Sequence, residues 1–285
     1  MSERLPIFCS AHHASDDFGE YSNRCALTAK QRLQYSDYGT AITVPREGME
    51  KPLIGTHSRG IIDLNREQKS PTLFPRKDFE KPTPNEIWKP GKELTEGERV
   101  EVLRTVYFVY HDALYQKMHD FKRPGLVVAW DNTAHYEIGN AATGEKEMMS
   151  PFILSNKGTR DSADMSDANE LDARKEQIRP TSCDPLFLEE FAIELRKSLK
   201  KFGLPDEVFL NRVYKGGYIG EYYNTRRNPM LNVHQAVQSF QIEYDTLLTH
   251  DQETLEADSS AMEKLRIAVE RALFNAYANM LTWNV

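Results

Sequence analysis

The sequence has few cysteines, no excess of positive charge and no long apolar run. Its three cysteines, Cys9, Cys25 and Cys183, are odd in number and widely spaced, which matches neither a disulfide framework nor a zinc cluster and is typical of a reducing compartment. A formal net charge of −7 argues against a general nucleic-acid binder, which would carry a basic patch. The amino-terminal residues lack the apolar centre of a signal peptide, and no segment reaches the length of a membrane span. We therefore expect a cytoplasmic globular protein with neither a nucleic-acid nor a membrane partner, and its oligomeric state stays open.

Apolar runs typical of strands alternate with amphipathic segments typical of helices. A chain of 285 residues is long enough to fold as one domain, residues 1–285, without disulfides or a structural metal. The alternation predicts an α/β fold with a mixed, mostly parallel central sheet flanked by helices. Predicted strands cover residues 6–10, 40–45, 60–64, 125–130, 207–213 and 239–244. Predicted helices cover residues 28–41, 95–121, 184–203 and 259–281, with capping boxes at Thr95–Glu98 and Ser260–Glu263.

Two segments interrupt this pattern. Residues 67–94 are rich in proline and lysine, which predicts a long surface loop. Residues 157–180 are polar and charged with almost no large apolar side chain, so we interpret them as an insertion. Loops of this length in a compact domain often serve as lids.

Polar side chains follow several predicted strands. Ligand groups gather at the carboxyl ends of parallel strands, so these residues are the candidates for chemistry. They are His12 and His13, Asn65 and Arg66, Asp131 and His135, together with Glu243 in the last strand. A catalytic zinc ion usually takes three ligands from His, Asp and Glu, a further carboxylate acts as general base, and arginine can hold a substrate carboxylate. The set fits a metal-assisted hydrolase acting on an acid-bearing substrate.

Two sequence motifs make this interpretation more specific. "SRGIIDLNR" (58–66) and "KGGYI" (215–219), with "HHAS", "WDNTAHY" and "FQIEYD" in the same order, resemble the N-formylglutamate amidohydrolase family. That family belongs to the same broad fold group as the zinc carboxypeptidases and aspartoacylases. The resemblance runs over most of the chain.

The resemblance implies a role for each matching residue. His13, Asp37 and His135 would bind one Zn²⁺ ion. Glu243 would activate the attacking water and then protonate the leaving amine. The substrate-binding residues would be Arg59, Asn65, Arg66 and Tyr218. The reaction would be hydrolysis of a small N-acyl amino acid, with N-formyl-L-glutamate giving formate and L-glutamate as the model.

Several alternatives stay open. Asp16, three residues after His13, is a rival to Asp37 as the second ligand, and Asp63 is an alternative outer partner of a ligand or an arginine. His12 is expected to point away from His13, because side chains alternate along a strand.

The chain also departs from the family pattern in places. Glu221 stands where the family often has arginine, which favours an aspartoacylase- or carboxypeptidase-like hydrolase of another acyl or peptide substrate. The altered "DNTAHY" motif favours a degenerate member that binds a metal or ligand without turnover.

Overall fold

A six-stranded sheet forms the centre of the protein. The computed structural model describes residues 4–78, 85–133, 137–139, 146–148, 151–164, 171–172, 177–178, 180–212, 214–251 and 253–282. The strands of the sheet are β1 (Ile7–Ala11), β2 (Leu53–Ile54), β3 (Gly125–Thr133), β4 (Phe152–Ser155), β5 (Val208–Leu210) and β6 (Val237–Asp245).

The strand order is β5-β4-β6-β3-β1-β2. Neighbouring strands run parallel at every pair except β4 with β6, which are antiparallel. The predicted mixed, mostly parallel sheet is therefore confirmed.

Helices cover both faces of this sheet. They are α1 (Ala29–Tyr35), α2 (Thr40–Thr43), α3 (Glu96–Val102), α4 (Phe108–His119), α5 (Pro185–Phe202), α6 (Tyr218–Tyr222) and α7 (Ser259–Thr282). A π-helical turn, Leu103–Tyr107, joins α3 to α4, and 3₁₀ turns cover Gly19–Arg24 and Thr246–Leu248. Short antiparallel ribbons pair Lys77–Asp78 with Asn85–Glu86, Glu137–Gly139 with Lys146–Met148, and Leu171–Asp172 with Gln177–Ile178. Within the described residues, no helix is both long and apolar enough to cross a membrane.

The alternating side chains of the strands divide the core into two layers. Ile7 and Cys9 of β1 pack on the face covered by α5 and α7, while Phe8 packs on the face covered by the α3–α4 helix. This alternation is the ordinary geometry of a buried strand. The described part of residues 67–94 adds buried Ile87 and Trp88 to the second layer.

The two predicted helix caps have different outcomes. The capping box of Thr95 and Glu98 is confirmed at the start of α3. The one at Ser260 is wrong, because the carboxylate of Asp258 accepts the amide hydrogen of Ala261 at 2.9 Å and α7 begins at Ser259. Aspartate is as good an N-cap acceptor as serine, and it comes first along the chain.

Two predicted strands are also wrong. Residues 40–45 contain the helix Thr40–Thr43, which follows Gly39 in the left-handed conformation (φ 87°). Residues 60–64 form turns in which Ile61 and Ile62 are buried. Both segments bury β-branched side chains without pairing in a sheet, and this composition is the reason that strands were predicted there.

Candidate metal centre and active site

A cavity of about 140 Å³ opens at the carboxyl ends of β1, β3 and β6. It is smaller than the roughly 300–1,000 Å³ of sites for drug-sized ligands, which suits a small substrate. Its walls carry four carboxylates and three basic side chains besides one histidine. The lining residues are His13, Asp37, Arg59, Asp63, Asn65, Arg66, Asp131, Asn132, Thr133, Tyr214, Lys215, Gly216, Gly217, Gln241 and Glu243.

The register of the strands places these side chains at the same height along the sheet. In the parallel pair of β3 and β6, Asp131 lies beside Glu243. In the pair of β1 and β3, Ser10 lies beside Ala129, so the residues that follow β1 emerge level with Asp131. The segment that ends at Asn65 approaches from the side of α6, where the Asn65 carbonyl accepts from the Tyr218 amide at 3.2 Å.

His12 lies next to His13, and the expectation that it points away is wrong. The centroids of the two rings are 4.1 Å apart. The strand ends at Ala11 and the chain turns there, so strand alternation no longer separates the two side chains. His12 is fully buried, and its Nδ1 lies 3.1 Å from the Ser10 carbonyl oxygen. Because a carbonyl only accepts, Nδ1 carries the proton and Nε2 keeps its lone pair. Burial, followed by the charge of His13, holds the pKa of His12 well below its usual value.

His13 is oriented by Asp63. Its Nε2 donates to Asp63 Oδ1 at 2.8 Å, which turns Nδ1 toward Asp37 Oδ2 at 3.4 Å and Asp131 Oδ1 at 3.5 Å. A histidine that binds a metal through one ring nitrogen commonly donates the hydrogen on its other ring nitrogen to a carboxylate. Burial opposes protonation of His13 and Arg59 adds to that opposition, but the surrounding carboxylates outweigh both, so the pKa of His13 lies well above its usual value.

Four buried atoms at this point have no hydrogen-bond partner among the described residues. They are His12 Nε2, His13 Nδ1 and both carboxylate oxygens of Asp131. His12 Nε2 and Asp131 Oδ1 are 3.1 Å apart without the alignment of a hydrogen bond. Among the described residues, His12, His13 and Asp131 are the group that can place one ligand atom each within 4.8 Å of the others. Unpaired buried polar atoms are costly, and a shared cation would satisfy all of them.

The carboxylates of the site differ in charge state. Burial, together with the nearby charge of Asp37, raises the pKa of Asp131 well above its usual value. Burial also opposes ionisation of Asp63, but His13, Arg59 and Arg66 outweigh it and hold the pKa of Asp63 well below its usual value. Without metal, the positive charge of His13 is therefore balanced chiefly by Asp63, and a bound dication would take the place of that positive charge.

The sequence-predicted substrate residues fall into two groups. Arg59, Asn65 and Arg66 line the cavity, whereas Tyr218 lies outside its lining. Tyr218 stacks on Tyr222, with ring centroids 5.2 Å apart.

The two arginines that line the cavity differ in exposure. The Arg59 side chain is 10% exposed and lies 3.7 Å from Asp37 and 3.4 Å from Asp63. The Arg66 side chain is 48% exposed, and its Nε lies 3.4 Å from Asp63. Arg66 is thus the more solvent-accessible of the two arginines.

The remaining sequence-predicted residues are placed as follows. Asp37 lies against His13 and lines the cavity, whereas Asp16 is partly exposed and lies outside the lining. His135 lies outside the described residues. Glu221 is turned toward Lys157 at 3.2 Å and Arg227 at 3.6 Å, and it does not line the cavity. Its negative charge is therefore balanced outside the site.

His12 and Asp131 were among the strand-end residues expected from the sequence, but neither was predicted to bind the metal. The signal for Asp131 was its position at the end of a fully buried strand, level with Glu243 in the sheet. His12 would have been recognised from the end of β1 at Ala11, because side chains beyond the strand no longer alternate between its faces. Asp63, considered as an outer partner, contacts His13, Arg59 and Arg66 and accepts the Asn65 amide at 2.9 Å.

Comparison with known proteins agrees with the sequence motifs. The family profile described as N-formylglutamate amidohydrolase matches residues 5–246. The crystal structure of N-formylglutamate amidohydrolase from Ralstonia eutropha is 19% identical in sequence and superposes with a TM-score of 0.60, covering 98% of this chain and 96% of its own. A gene product of Agrobacterium tumefaciens is 15% identical, with a TM-score of 0.62 over 98% of this chain and 93% of its own. No curated protein matches the chain's sequence.

Proposed function

The chain belongs to the N-formylglutamate amidohydrolase family, and we propose that it is a zinc-dependent hydrolase of a small N-acyl amino acid. The family membership supports hydrolysis of an amide. N-formyl-L-glutamate, giving formate and L-glutamate, is the model reaction. The balanced charge of Glu221 removes the sequence argument for a different substrate, because that carboxylate pairs with Lys157 and Arg227 instead of entering the cavity.

The donor set fits a zinc ion. His12 Nε2, His13 Nδ1 and the Asp131 carboxylate would hold it, and two imidazoles with one carboxylate are a common catalytic zinc set that leaves a position open. Asp37 is a candidate for a further contact because it lies 3.4 Å from His13 Nδ1. When bound, zinc supplies a Lewis acid for the scissile carbonyl and favours ionisation of water. The family resemblance predicts a different ligand set, His13, Asp37 and His135. That set stays a prediction, and only His13 belongs to both sets.

Glu243 is the general base of this proposal. It is 7% exposed and lines the cavity, and it lies beside Asp131 in the sheet. Its carboxylate would take a proton from the attacking water and deliver it to the leaving amine, since amine release from an amide requires protonation of nitrogen. The other carboxylates of the cavity have other roles in this proposal, because Asp131 would bind zinc and Asp37 and Asp63 are paired with His13 and Arg59.

Arg66 and Lys215 would bind carboxylate groups of the substrate. Both line the cavity, and Arg66 keeps about half of its side chain exposed, at 48%. Arginine forms charge-assisted bonds with carboxylates in defined geometry. Arg59 would act indirectly by holding Asp37 and Asp63 in place.

One observation carries the proposal. Four buried atoms without hydrogen-bond partners, on His12, His13 and Asp131, meet beside a buried glutamate in the cavity.

A hydrolysis screen tests the proposal. N-formyl and N-acetyl amino acids are offered to the protein with and without added Zn²⁺, and the released amine is measured. We expect zinc-dependent release by the parent protein, and a Glu243→Gln variant that keeps zinc but loses activity about 10²- to 10⁴-fold. A parent protein that binds no zinc and hydrolyses no substrate in the screen would refute the proposal.

A further inference from the structure

A second amide side chain, Gln241, lies beside Glu243 in the cavity. It stands two residues earlier on β6, on the same face of the sheet, and is 5% exposed. Its Nε2 donates to Glu243 Oε1 at 2.7 Å, and its Oε1 accepts from the Gly217 amide at 2.6 Å. The orientation of the amide is fixed, because only nitrogen can donate to a carboxylate and only oxygen can accept from an N–H group.

The backbone at Gly216 and Gly217 also lines the cavity. Gly216 has φ 96°, which favours glycine. A Cβ on Gly217 would lie 2.1 Å from Asn65 Nδ2, so a side chain there would displace Asn65. The Asn65 side chain accepts from the Ile219 amide at 2.9 Å. The glycine segment is therefore held by Asn65 on one side and by Gln241 on the other.

We propose that Gln241 is a positioning residue that fixes the carboxylate of Glu243 and the Gly217 backbone in one geometry. The inference rests on the proposed role of Glu243 as general base. A base works only within hydrogen-bond reach of the proton it removes, and a displacement of about 1 Å costs on the order of 10²-fold in rate. A buried amide that is bonded to both Glu243 and the Gly217 backbone limits a displacement of this kind.

Two substitutions at this position separate its two contacts. Gln241→Met removes both hydrogen bonds at similar size. Gln241→Glu keeps an acceptor for the Gly217 amide but places a second carboxylate against Glu243. Gln238→Met is the matched control, because Gln238 lies on the same strand, bonds to the Asp184 amide at 2.6 Å and lies outside the cavity lining.

The readouts are kcat and KM, hydrogen exchange of residues 214–219, zinc content and thermal unfolding. We expect Gln241→Met to lower kcat about 10- to 100-fold with a smaller change in KM, to speed exchange at Gly217, and to keep zinc and a cooperative transition. Gln241→Glu should lose kcat to a similar extent while exchange at Gly217 stays slow. The control should keep the parental kcat.

Three outcomes would overturn the inference. A Gln241→Met variant with parental kcat contradicts it directly, and so does unchanged exchange at Gly217. A fully active Gln241→Glu variant shows that the link to Glu243 is irrelevant. If the parent protein hydrolyses no N-acyl amino acid, the proposed function fails and the link to catalysis fails with it, while hydrogen exchange still decides whether Gln241 holds the glycine segment.

Discussion

Replacement of Asp63 by asparagine should weaken zinc binding without removing a ligand. Asp63 is 5% exposed, and its carboxylate contacts His13 Nε2 at 2.8 Å, the Asn65 amide at 2.9 Å and the guanidinium groups of Arg59 and Arg66 at 3.4 Å each. Asparagine can keep the first two contacts but not the charge. Loss of an outer partner of a metal ligand typically costs about 10- to 100-fold in affinity, so we expect a loss of that size.

A change in stability should accompany the change in affinity. Removing one partner of a buried ion pair costs about 3–5 kcal/mol. We expect the lower end of this range or less, because Arg59 keeps Asp37 and the Arg66 side chain is 48% exposed. Denaturant unfolding of the metal-free protein measures this change.

The assay for affinity is competition with a chromophoric chelator. Asp63 also helps to raise the pKa of His13. In the Asp63→Asn variant, protons should therefore compete less strongly with zinc for the His13 ring. The loss of affinity should therefore be smaller at low pH than at high pH. Asp112→Asn, an exposed site on α4, is the control. If Asp63→Asn binds zinc as tightly as the control at every pH, the assigned role of Asp63 is wrong.

Three further results are expected. His12→Ala should weaken zinc binding by more than the roughly 10- to 100-fold of an outer partner, measured in the same competition, and parental affinity would remove His12 from the site. Zinc affinity should fall from about pH 8 to pH 6, because the raised pKa of His13 means that a bound proton must be displaced, and a pH-independent affinity would contradict this. Gly217→Ala should destabilise the protein by about 1–3 kcal/mol and raise KM, because its Cβ would overlap Asn65. Gly97→Ala, where nothing lies within 4 Å, should leave KM unchanged and should not destabilise the protein, because alanine is the better helix former in α3. Equal unfolding midpoints for the two variants would refute the steric argument.

Much of the site could be predicted because strand ends are visible in the sequence. The buried run 125–130 continues directly into Asp131, and the last strand carries Glu243, so both residues reach the same edge of a parallel sheet. The "SRGIIDLNR" motif likewise placed Arg59, Asn65 and Arg66 in the cavity, although the predicted strand within it is a set of turns.

The errors came where local rules met tertiary contacts. Thr43 looks like a strand residue, yet its hydroxyl lies 2.8 Å from the Tyr244 hydroxyl and 3.1 Å from Trp130 Nε1, contacts that hold α2 against the sheet. His12 was assigned to the opposite face because the last residue of β1 is not visible in the sequence. Hydrogen bonds between distant segments, such as Gln241 with Gly217, have no local signal at all.

Anomalous diffraction from crystals of the zinc-loaded protein would locate the metal and its ligands. We expect one strong zinc peak bonded to His12 Nε2, His13 Nδ1 and the Asp131 carboxylate, with Glu243 facing the open position. A zinc ion held elsewhere, or by His135 and Asp37 with His12 turned away, would contradict this assignment.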